Sequence, residues 1–221
     1  MNASTPAPTT VLIVDDDRWV ARSLASVIAT TPGMRLLGAV HSGEEAVAAY
    51  RQERPDVVLM DVNMGSGMTG VDATAEIVRA DPEARIVVLT TIAPGPGLTR
   101  ALDAGAVAAL NKSASEVTLI ETVRGAARGE DPSMLKNLVG DVLVSGEAHP
   151  EMPDAAPQLT AAERETLWLI CDGHGYAEIA ARRGVEVSTV KAQAKQLREK
   201  LGAQNLAQLV VRAIQYSYIS A

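Results

Sequence analysis

The sequence predicts a doubly wound α/β domain with a five-stranded parallel sheet, followed by a small all-α domain of four helices. Two observations carry this prediction. Five short apolar runs alternate with amphipathic segments, at residues 11–14, 36–40, 57–60, 86–89 and 107–110. Near-continuous runs of this length are typical of strands that are buried on both faces of a parallel sheet. After residue 157, helical periodicity runs almost to the end of the 221-residue chain, interrupted only by glycines.

The helix starts can be predicted from capping boxes, in which a Ser or Thr and a Glu three residues later satisfy each other's backbone amides. This pattern occurs at Ser42, Ser113 and Thr160. A further short helix is expected over residues 133–144. The periodicity therefore predicts α/β alternation up to about residue 128, and helices alone beyond it.

Composition and charge divide the chain into an α/β domain at 9–128, a linker at 129–157 and a helical domain at 158–221. Gly146 and prolines 150, 153 and 157 mark the linker. Residues 1–155 carry 12 Lys and Arg against 21 Asp and Glu, whereas residues 156–221 carry 8 against 6. An acidic front and a mildly basic rear indicate two domains with different partners.

The composition also excludes several protein classes. A single cysteine, Cys171, leaves no internal disulfide framework and no Cys-rich zinc site. The first ten residues lack the basic and apolar regions of a signal peptide. No run approaches the roughly 18 apolar residues that a membrane helix needs. We therefore expect a cytoplasmic protein with no membrane association.

Polar residues follow four of the five predicted strands. Because the carboxyl ends of parallel strands meet at one edge of a doubly wound sheet, these residues should converge there. They are Asp15, Asp16 and Asp17 after the first strand, Asp61 after the third, Thr90 and Thr91 after the fourth, and Lys112 after the fifth.

This set of side chains suits phosphoryl transfer. A carboxylate cluster can hold Mg²⁺, and one further aspartate can act as a nucleophile that forms an acyl phosphate. An ammonium and a hydroxyl then stabilise charge on the transferred group. Acids packed this closely repel one another without a cation, so the sequence predicts a metal. Each residue alone also fits an ordinary turn or cap.

Residues 9–128 resemble a receiver domain of the two-component type. The resemblance rests on Val11–Asp16, on Asp61 within Leu59–Met64, on Thr90 within Val88–Thr91, and on Lys112. It implies that Asp61 is the phosphoacceptor and that Thr90 and Lys112 assist it. It also implies that Mg²⁺ is held by Asp15, Asp16, Asp61 and the backbone carbonyl of Asn63, and that a sensor histidine kinase supplies the phosphoryl group.

Four positions depart from the receiver pattern. Gly65-Ser66-Gly67 replaces Pro-Gly and adds a residue, and Ser113 follows the lysine. Ala109 stands where the family has Phe or Tyr, so the usual inward movement of a ring cannot occur. Prolines and glycines at 93–97 should delay or shorten the fourth helix. Phosphate binding is expected to be intact, with an unusual route from the pocket to the output surface.

The rear domain contains a predicted helix-turn-helix. Its first helix is expected at 176–183, Gly184 permits the turn, and the second helix runs from about Ser188 to Leu201. Two stripes lie on the second helix. The apolar one is Val190, Ala194, Leu197 and Leu201, and the basic one is Lys191, Lys195 and Arg198. A solvated basic face on an ordinary bundle helix would show the same spacing of basic residues.

Residues 158–214 resemble the LuxR/NarL-type DNA-binding domain. The resemblance rests on Leu159–Glu165, Glu178–Ala180, Ser188–Lys191 and Lys200–Gly202. It implies double-stranded DNA as a partner, with Lys191, Ala192 and Lys195 facing bases and Thr189, Gln196 and Arg198 nearer the phosphates. Gln193 stands where His is common, and Glu186 stands at the usual Ser cap position.

Together the two resemblances identify a NarL/FixJ-type response regulator that acts as a transcriptional regulator, and not as an enzyme beyond its own phosphoryl transfer. An active homodimer is expected, and the last helix, 204–219, is either its surface or part of the core. Two alternatives remain open. One is regulation without phosphorylation. The other is a haloacid-dehalogenase-type phosphatase that uses Asp15 as its nucleophile.

Overall fold

In the computed structural model, the front part of the chain forms a parallel sheet with helices on both faces. The structure describes residues 7–65, 67–90, 97–129, 131–135, 138–144 and 156–219. The elements of the front part, in chain order, are β1 (Thr9–Val14), α1 (Arg18–Thr30), β2 (Met34–Val40), α2 (Gly43–Glu53), β3 (Val57–Asp61), α3 (Gly70–Ala80), β4 (Ile86–Thr90), α4 (Leu98–Asp103), β5 (Ala108–Asn111) and α5 (Glu116–Arg128).

The sheet has the strand order β2-β1-β3-β4-β5, and every neighbouring pair is parallel. The predicted fold class and all five predicted strands are therefore confirmed. Every residue of β3 and β4 is buried, as expected for strands covered on both faces. The chain turns to opposite sides of the sheet from β1 and β3, which places their carboxyl ends at the topological switch point.

The helix starts follow the capping predictions with one error. Ser42 caps α2, although Glu45 accepts from the N–H of His41 instead of that of Ser42. The capping box predicted at Ser113 is wrong, because the N–H and hydroxyl of Ser113 both bind Asn111 Oδ1. The helix starts two residues later, with Ser115 as its cap.

Helix α4 is short, as the prolines before it predict. It has six residues, against eleven to thirteen in the other helices of the front part. Residues 91–96, which include those prolines, lie outside the described residues, as does Ser66 of the Gly-Ser-Gly segment.

The rear part is helical throughout its described residues. Its elements are η1, a 3₁₀ turn (Pro132–Leu135), α6 (Leu138–Val144), α7 (Ala161–Cys171), α8 (Tyr176–Arg183), α9 (Val187–Leu201) and α10 (Leu206–Gln215). The four predicted helices of the rear domain are confirmed. Of the described residues of the short helix predicted over 133–144, residues 133–135 belong to η1 and residues 138–144 form α6. Within the described ranges, no helix is both long and apolar enough to span a bilayer.

One apolar cluster joins the two parts. It covers the α2–α3–α4 face of the sheet and continues through α4 into the rear helices, where Leu138 and Val142 of α6 pack with α10. A second cluster fills the opposite face, under α1 and α5. Every residue of α10 except Arg212 is buried. Of the two interpretations offered for the last helix, core packing describes this conformation.

Candidate functional site

Three carboxylates meet at the carboxyl edge of the sheet. Asp15 follows β1 directly and Asp61 ends β3, and these strands are hydrogen-bonded neighbours. Carboxylate oxygens of Asp15, Asp16 and Asp61 all lie within 4.8 Å of one another. Asp15 and Asp61 are buried, whereas Asp16 is exposed at the mouth of the pocket. The predicted acidic residues are therefore brought together, apart from Asp17.

Lys112 supplies the positive charge of this pocket. Its Nζ lies 2.8 Å from Asp15 Oδ2 and 2.9 Å from Asp61 Oδ2. The backbone fixes this position, because the Lys112 N–H donates to the carbonyl of Thr90 at 2.7 Å, which continues the β4–β5 ladder by one residue. An ammonium between two buried carboxylates offsets part of the cost of burying them.

The pKa values in the pocket reflect this balance of burial and charge. Burial raises the pKa of Asp15, and the negative charge of Asp61 adds to the rise, while the Lys112 ammonium opposes it. Burial alone would lower the pKa of Lys112, but its hydrogen bonds to Asp15 and Asp61 outweigh burial, and that pKa is raised. Lys112 is therefore charged at neutral pH.

The other three aspartates at this edge of the sheet accept hydrogen bonds from different backbone groups. Asp16 Oδ2 accepts the Gly65 N–H at 2.9 Å, which ties the loop after β3 to the loop after β1. Asp61 Oδ1 accepts the N–H of Asn63 at 3.2 Å. Asp17 instead caps α1 and accepts the N–H groups of the two residues that follow Arg18. Its carboxylate serves the helix and not the pocket.

Thr90 ends β4, the strand between those that carry Asp61 and Lys112. It is buried at the same edge of the sheet. Its neighbour Thr91 lies outside the described residues. Thr90 is thus at the expected strand end, on the strand between the one that Asp61 ends and the one that Lys112 follows.

Sequence reasoning missed two residues that shape the pocket. Gly70, the first residue of α3, lies so close to β3 that an added Cβ would come within 1.8 Å of the Asp61 carbonyl oxygen. A ring nitrogen of His41, Nδ1, lies 2.8 Å from the carbonyl oxygen of Asp15. Neither contact leaves a local signal in the sequence, because each joins segments that only the fold brings together.

The pocket has the chemistry of a magnesium site. Carboxylate oxygens are ligands that Mg²⁺ prefers, and its remaining positions are usually filled by water and phosphate oxygens. Three acids face one ammonium, so the described pocket carries an excess of negative charge that a divalent cation would neutralise. Asp15, Asp16 and Asp61 are the residues that could hold the ion.

Helices α8 and α9 form the helix-turn-helix that the sequence predicts. Gly184 ends α8 in the left-handed region at φ +63°, which glycine adopts without strain. The four residues of the predicted apolar stripe on α9 are all buried. Of the residues predicted to contact DNA, five are exposed and Arg198 is half-buried. The exposed ones are Thr189, Lys191, Ala192, Lys195 and Gln196.

A polar cluster sets α9 against α7 and α8. Gln193 Oε1 accepts from the Thr166 hydroxyl at 2.8 Å and also from the Arg183 guanidinium. Arg183 in turn donates through Nε to Glu165 at 3.1 Å. Gln193, which departs from the family pattern, therefore points into the domain and helps to orient the helix.

The basic stripe of α9 lies at the border between the two parts. Lys191, Lys195 and Arg198 border a cavity of about 490 Å³, and its opposite wall belongs to the front part. That wall includes Glu83 and Arg85 from the turn before β4. The front part therefore lies beside the basic stripe, although Lys191 and Lys195 stay exposed. We call this arrangement of the two parts the closed form.

Comparison with known proteins agrees with this geometry. A family model described as a response regulator receiver domain matches residues 11–124, and one described as bacterial regulatory proteins of the luxR family matches residues 157–213. The chain is 32% identical over 212 residues to the response regulator protein VraR of Staphylococcus aureus, a match that covers 95% of this chain and 98% of that protein.

Solved structures of response regulators are also similar to this chain. A LuxR-family two-component response regulator from an Aurantimonas species is 27% identical with a TM-score of 0.52, over 56% of this chain and 88% of that one. The response regulator ChrA of a heme-sensing two-component system matches 96% of this chain and 100% of that one with a TM-score of 0.53. At 24% identity the likeness to ChrA shows the fold alone. These matches favour the signalling interpretation over the phosphatase.

Proposed function

Since the chain belongs to the response regulators that join a receiver domain to a LuxR-type DNA-binding domain, we propose that phosphorylation of Asp61 controls its DNA binding. The receiver domain would span 9–128 and the DNA-binding domain 158–221, with a linker between them. The observation that carries the proposal is the position of Lys112 Nζ, within 2.9 Å of both Asp15 and Asp61. An ammonium held there can neutralise charge on a group transferred to Asp61.

In the proposed reaction, an Asp61 carboxylate oxygen attacks the phosphorus of a phosphohistidine on a sensor histidine kinase. The P–N bond breaks, its electron pair stays on the imidazole nitrogen, and an acyl phosphate forms. Lys112 and the Thr90 hydroxyl stabilise the transferred oxygens. Asp15, Asp16, Asp61 and the Asn63 carbonyl would hold Mg²⁺, which neutralises negative charge as it builds up.

The surface around the pocket supports docking of a kinase. Trp19, in the first turn of α1, is 80% exposed, and Val117, in the first turn of α5, is 64% exposed. Both helices begin at the edge of the sheet that carries the acids. Exposed large apolar side chains beside a reactive site are typical of a surface that a protein partner covers.

Control of DNA binding follows from the closed conformation. Thr189, Gln196 and Arg198 would contact phosphates, and Lys191, Ala192 and Lys195 would contact bases. The front part lies across the cavity from the basic members of this set and would stand in the way of a duplex lying along this face of α9. DNA binding would then require the two parts to separate. Separation would also uncover part of α10, which then becomes available to a second copy of the chain. We propose a homodimer of this kind, and a cytoplasmic location where the DNA is.

The test is phosphorylation by acetyl phosphate with Mg²⁺, read by intact mass and by binding to genomic DNA fragments. The wild type should gain one phosphoryl group and bind DNA more tightly. Asp61→Asn should gain neither property. Asp17→Asn is the matched control, because Asn also caps helices, and it should behave as the wild type does.

The alternatives give different results in the same experiment. Tight DNA binding by wild type and Asp61→Asn alike, with no response to beryllofluoride, would contradict the proposal and favour regulation without phosphorylation. Loss of labelling in Asp15→Asn with labelling retained in Asp61→Asn would instead favour the phosphatase.

A further inference from the structure

The two parts of the chain are joined by amide side chains at the start of α10. Asn205 Nδ2 donates to the carbonyls of Gly105 and Ala106, at 2.9 and 3.2 Å. Gln208 Nε2 donates to the carbonyl of Asp103 at 2.7 Å. Both amides are buried, at 6% and 3% exposure, although their partners are about 100 residues away in the sequence. Polar groups this deeply buried need their partners.

Each amide uses its two ends differently. Asn205 Oδ1 caps α10 by accepting the Gln208 N–H at 2.8 Å, and Gln208 Oε1 accepts the Gln204 N–H at 2.7 Å. The acceptor oxygen thus serves the rear part, while the donor nitrogen serves the front part. The receiving carbonyls lie at the end of α4 and just beyond it, where a helix leaves carbonyls without partners of its own.

The opposite end of α4 lies beside the phosphoacceptor segment. Gly97 precedes α4 with φ +111°, and a Cβ added there would lie 2.5 Å from Val62 Cγ1. Val62 directly follows Asp61. Between these ends, Leu98, Ala101 and Leu102 are buried to 1% exposure or less, against β4, α3 and α10. A six-residue helix spans roughly 9 Å, so α4 bridges the pocket and the rear part as one short rod.

We propose that Asn205 and Gln208 form a latch that holds the DNA-binding domain closed, and that α4 is the element through which the pocket acts on this latch. The proposal rests on the proposed function, which it deepens. Ala109 on β5 offers no ring that could carry the signal, whereas α4 touches both places. A shift of the segment after Asp61 would move α4 and misalign the three carbonyls from the amides.

Two isosteric variants separate this role from folding. Asn205→Asp keeps the cap of α10, and Gln208→Glu keeps the acceptor for Gln204, but each places a carboxylate oxygen against a carbonyl instead of a donor. Gln52→Glu, an exposed position on α2, makes the same chemical change away from the latch. All three proteins should give the circular dichroism spectrum of the wild type.

The measurements use unphosphorylated full-length protein. Each latch variant should bind DNA at least about tenfold more tightly than the wild type and show a larger radius of gyration in small-angle scattering, because loss of buried hydrogen bonds depopulates the closed form. Gln52→Glu should leave both quantities unchanged. Beryllofluoride should bring the wild type to the affinity of the latch variants and add little to theirs.

The outcomes distinguish the latch from the proposed function. If beryllofluoride opens the wild type while both latch variants stay compact with wild-type affinity, the latch is wrong and phosphorylation control stands. In another outcome, the latch variants open but beryllofluoride changes neither the DNA affinity nor the radius of gyration of the wild type. The amides then do hold the closed form, but phosphorylation control and the role of α4 are both wrong.

Discussion

Removing the ammonium from the pocket is the most direct test of its electrostatics. In Lys112→Met, the Asp15 and Asp61 carboxylates would lose the cation that lies within 2.9 Å of both. Asp15 is completely buried, and Lys112 itself is only 18% exposed. The methionine side chain fills a similar volume, so the change removes charge with little change in packing.

The size of the effect follows from burial. Leaving one member of a fully buried ion pair without its partner costs about 3–5 kcal/mol. Here Asp16 lies exposed at the mouth of the pocket and admits water, so we expect a loss of about 2–3 kcal/mol in the free energy of unfolding. Mg²⁺ replaces the missing charge, and at a hundred times its Kd it returns about 2.7 kcal/mol.

The assay is urea unfolding of wild type and variant, without Mg²⁺ and across a Mg²⁺ titration. The variant should be less stable without Mg²⁺, should regain most of the loss in its presence, and should bind Mg²⁺ more tightly than the wild type. Lys195→Met is the control, because that side chain is 71% exposed and makes one long ion pair. Equal stability losses in the two variants, or no recovery with Mg²⁺, would refute the electrostatic account.

Three further predictions concern packing and charge elsewhere. Gly70→Ala should destabilise the protein by more than about 2 kcal/mol in thermal unfolding and reduce phosphorylation, because its Cβ would clash with the backbone of Asp61. Glu163→Gln keeps the cap of α7 but loses the ion pair with Lys200, which with the Thr160 backbone lowers the pKa of Glu163 to about 2. The ion pair's contribution, about 1–2 kcal/mol, is complete above pH 4.5 and disappears as pH falls toward 2, so urea midpoints of the two proteins should converge in acid. Leu138→Ala should lower the unfolding free energy by about 2–4 kcal/mol, because it leaves a cavity between α6 and α10.

The front part could be predicted well because its signals are local. A strand buried on both faces must be apolar throughout, and residues at the ends of parallel strands must meet. These two rules were enough to bring Asp15, Asp61 and Lys112 to one edge of the sheet. The error at Ser113 shows a limit of local capping patterns, because the Asn111 side chain accepts the Ser113 N–H that Glu116 would bind in a capping box.

The contacts between the two parts could not be predicted from the sequence. Asn205 matches an ordinary helix cap, and its oxygen does cap α10, so the sequence gives no reason to look for a second task. Its nitrogen finds partners about a hundred residues away only because α10 packs on α4. The same holds for Gly70, whose neighbour is the Asp61 carbonyl. Such contacts depend on the final distance between elements, which residue patterns do not contain.

The closed form must be only moderately stable if one phosphoryl group is to open it. A switch from 1:99 to 99:1 needs about 5.5 kcal/mol of differential stabilisation. The three amide–carbonyl bonds contribute about 0.5–1.5 kcal/mol each, and packing of α10 on α4 adds to them. Against this, closure gathers Lys191, Lys195 and Arg198 opposite Arg85, with Glu83 as the acidic residue of that wall. In the proposed mechanism, DNA phosphates would offset the positive charge of these residues in the open form. DNA and phosphorylation would then both favour opening, and each should strengthen the effect of the other.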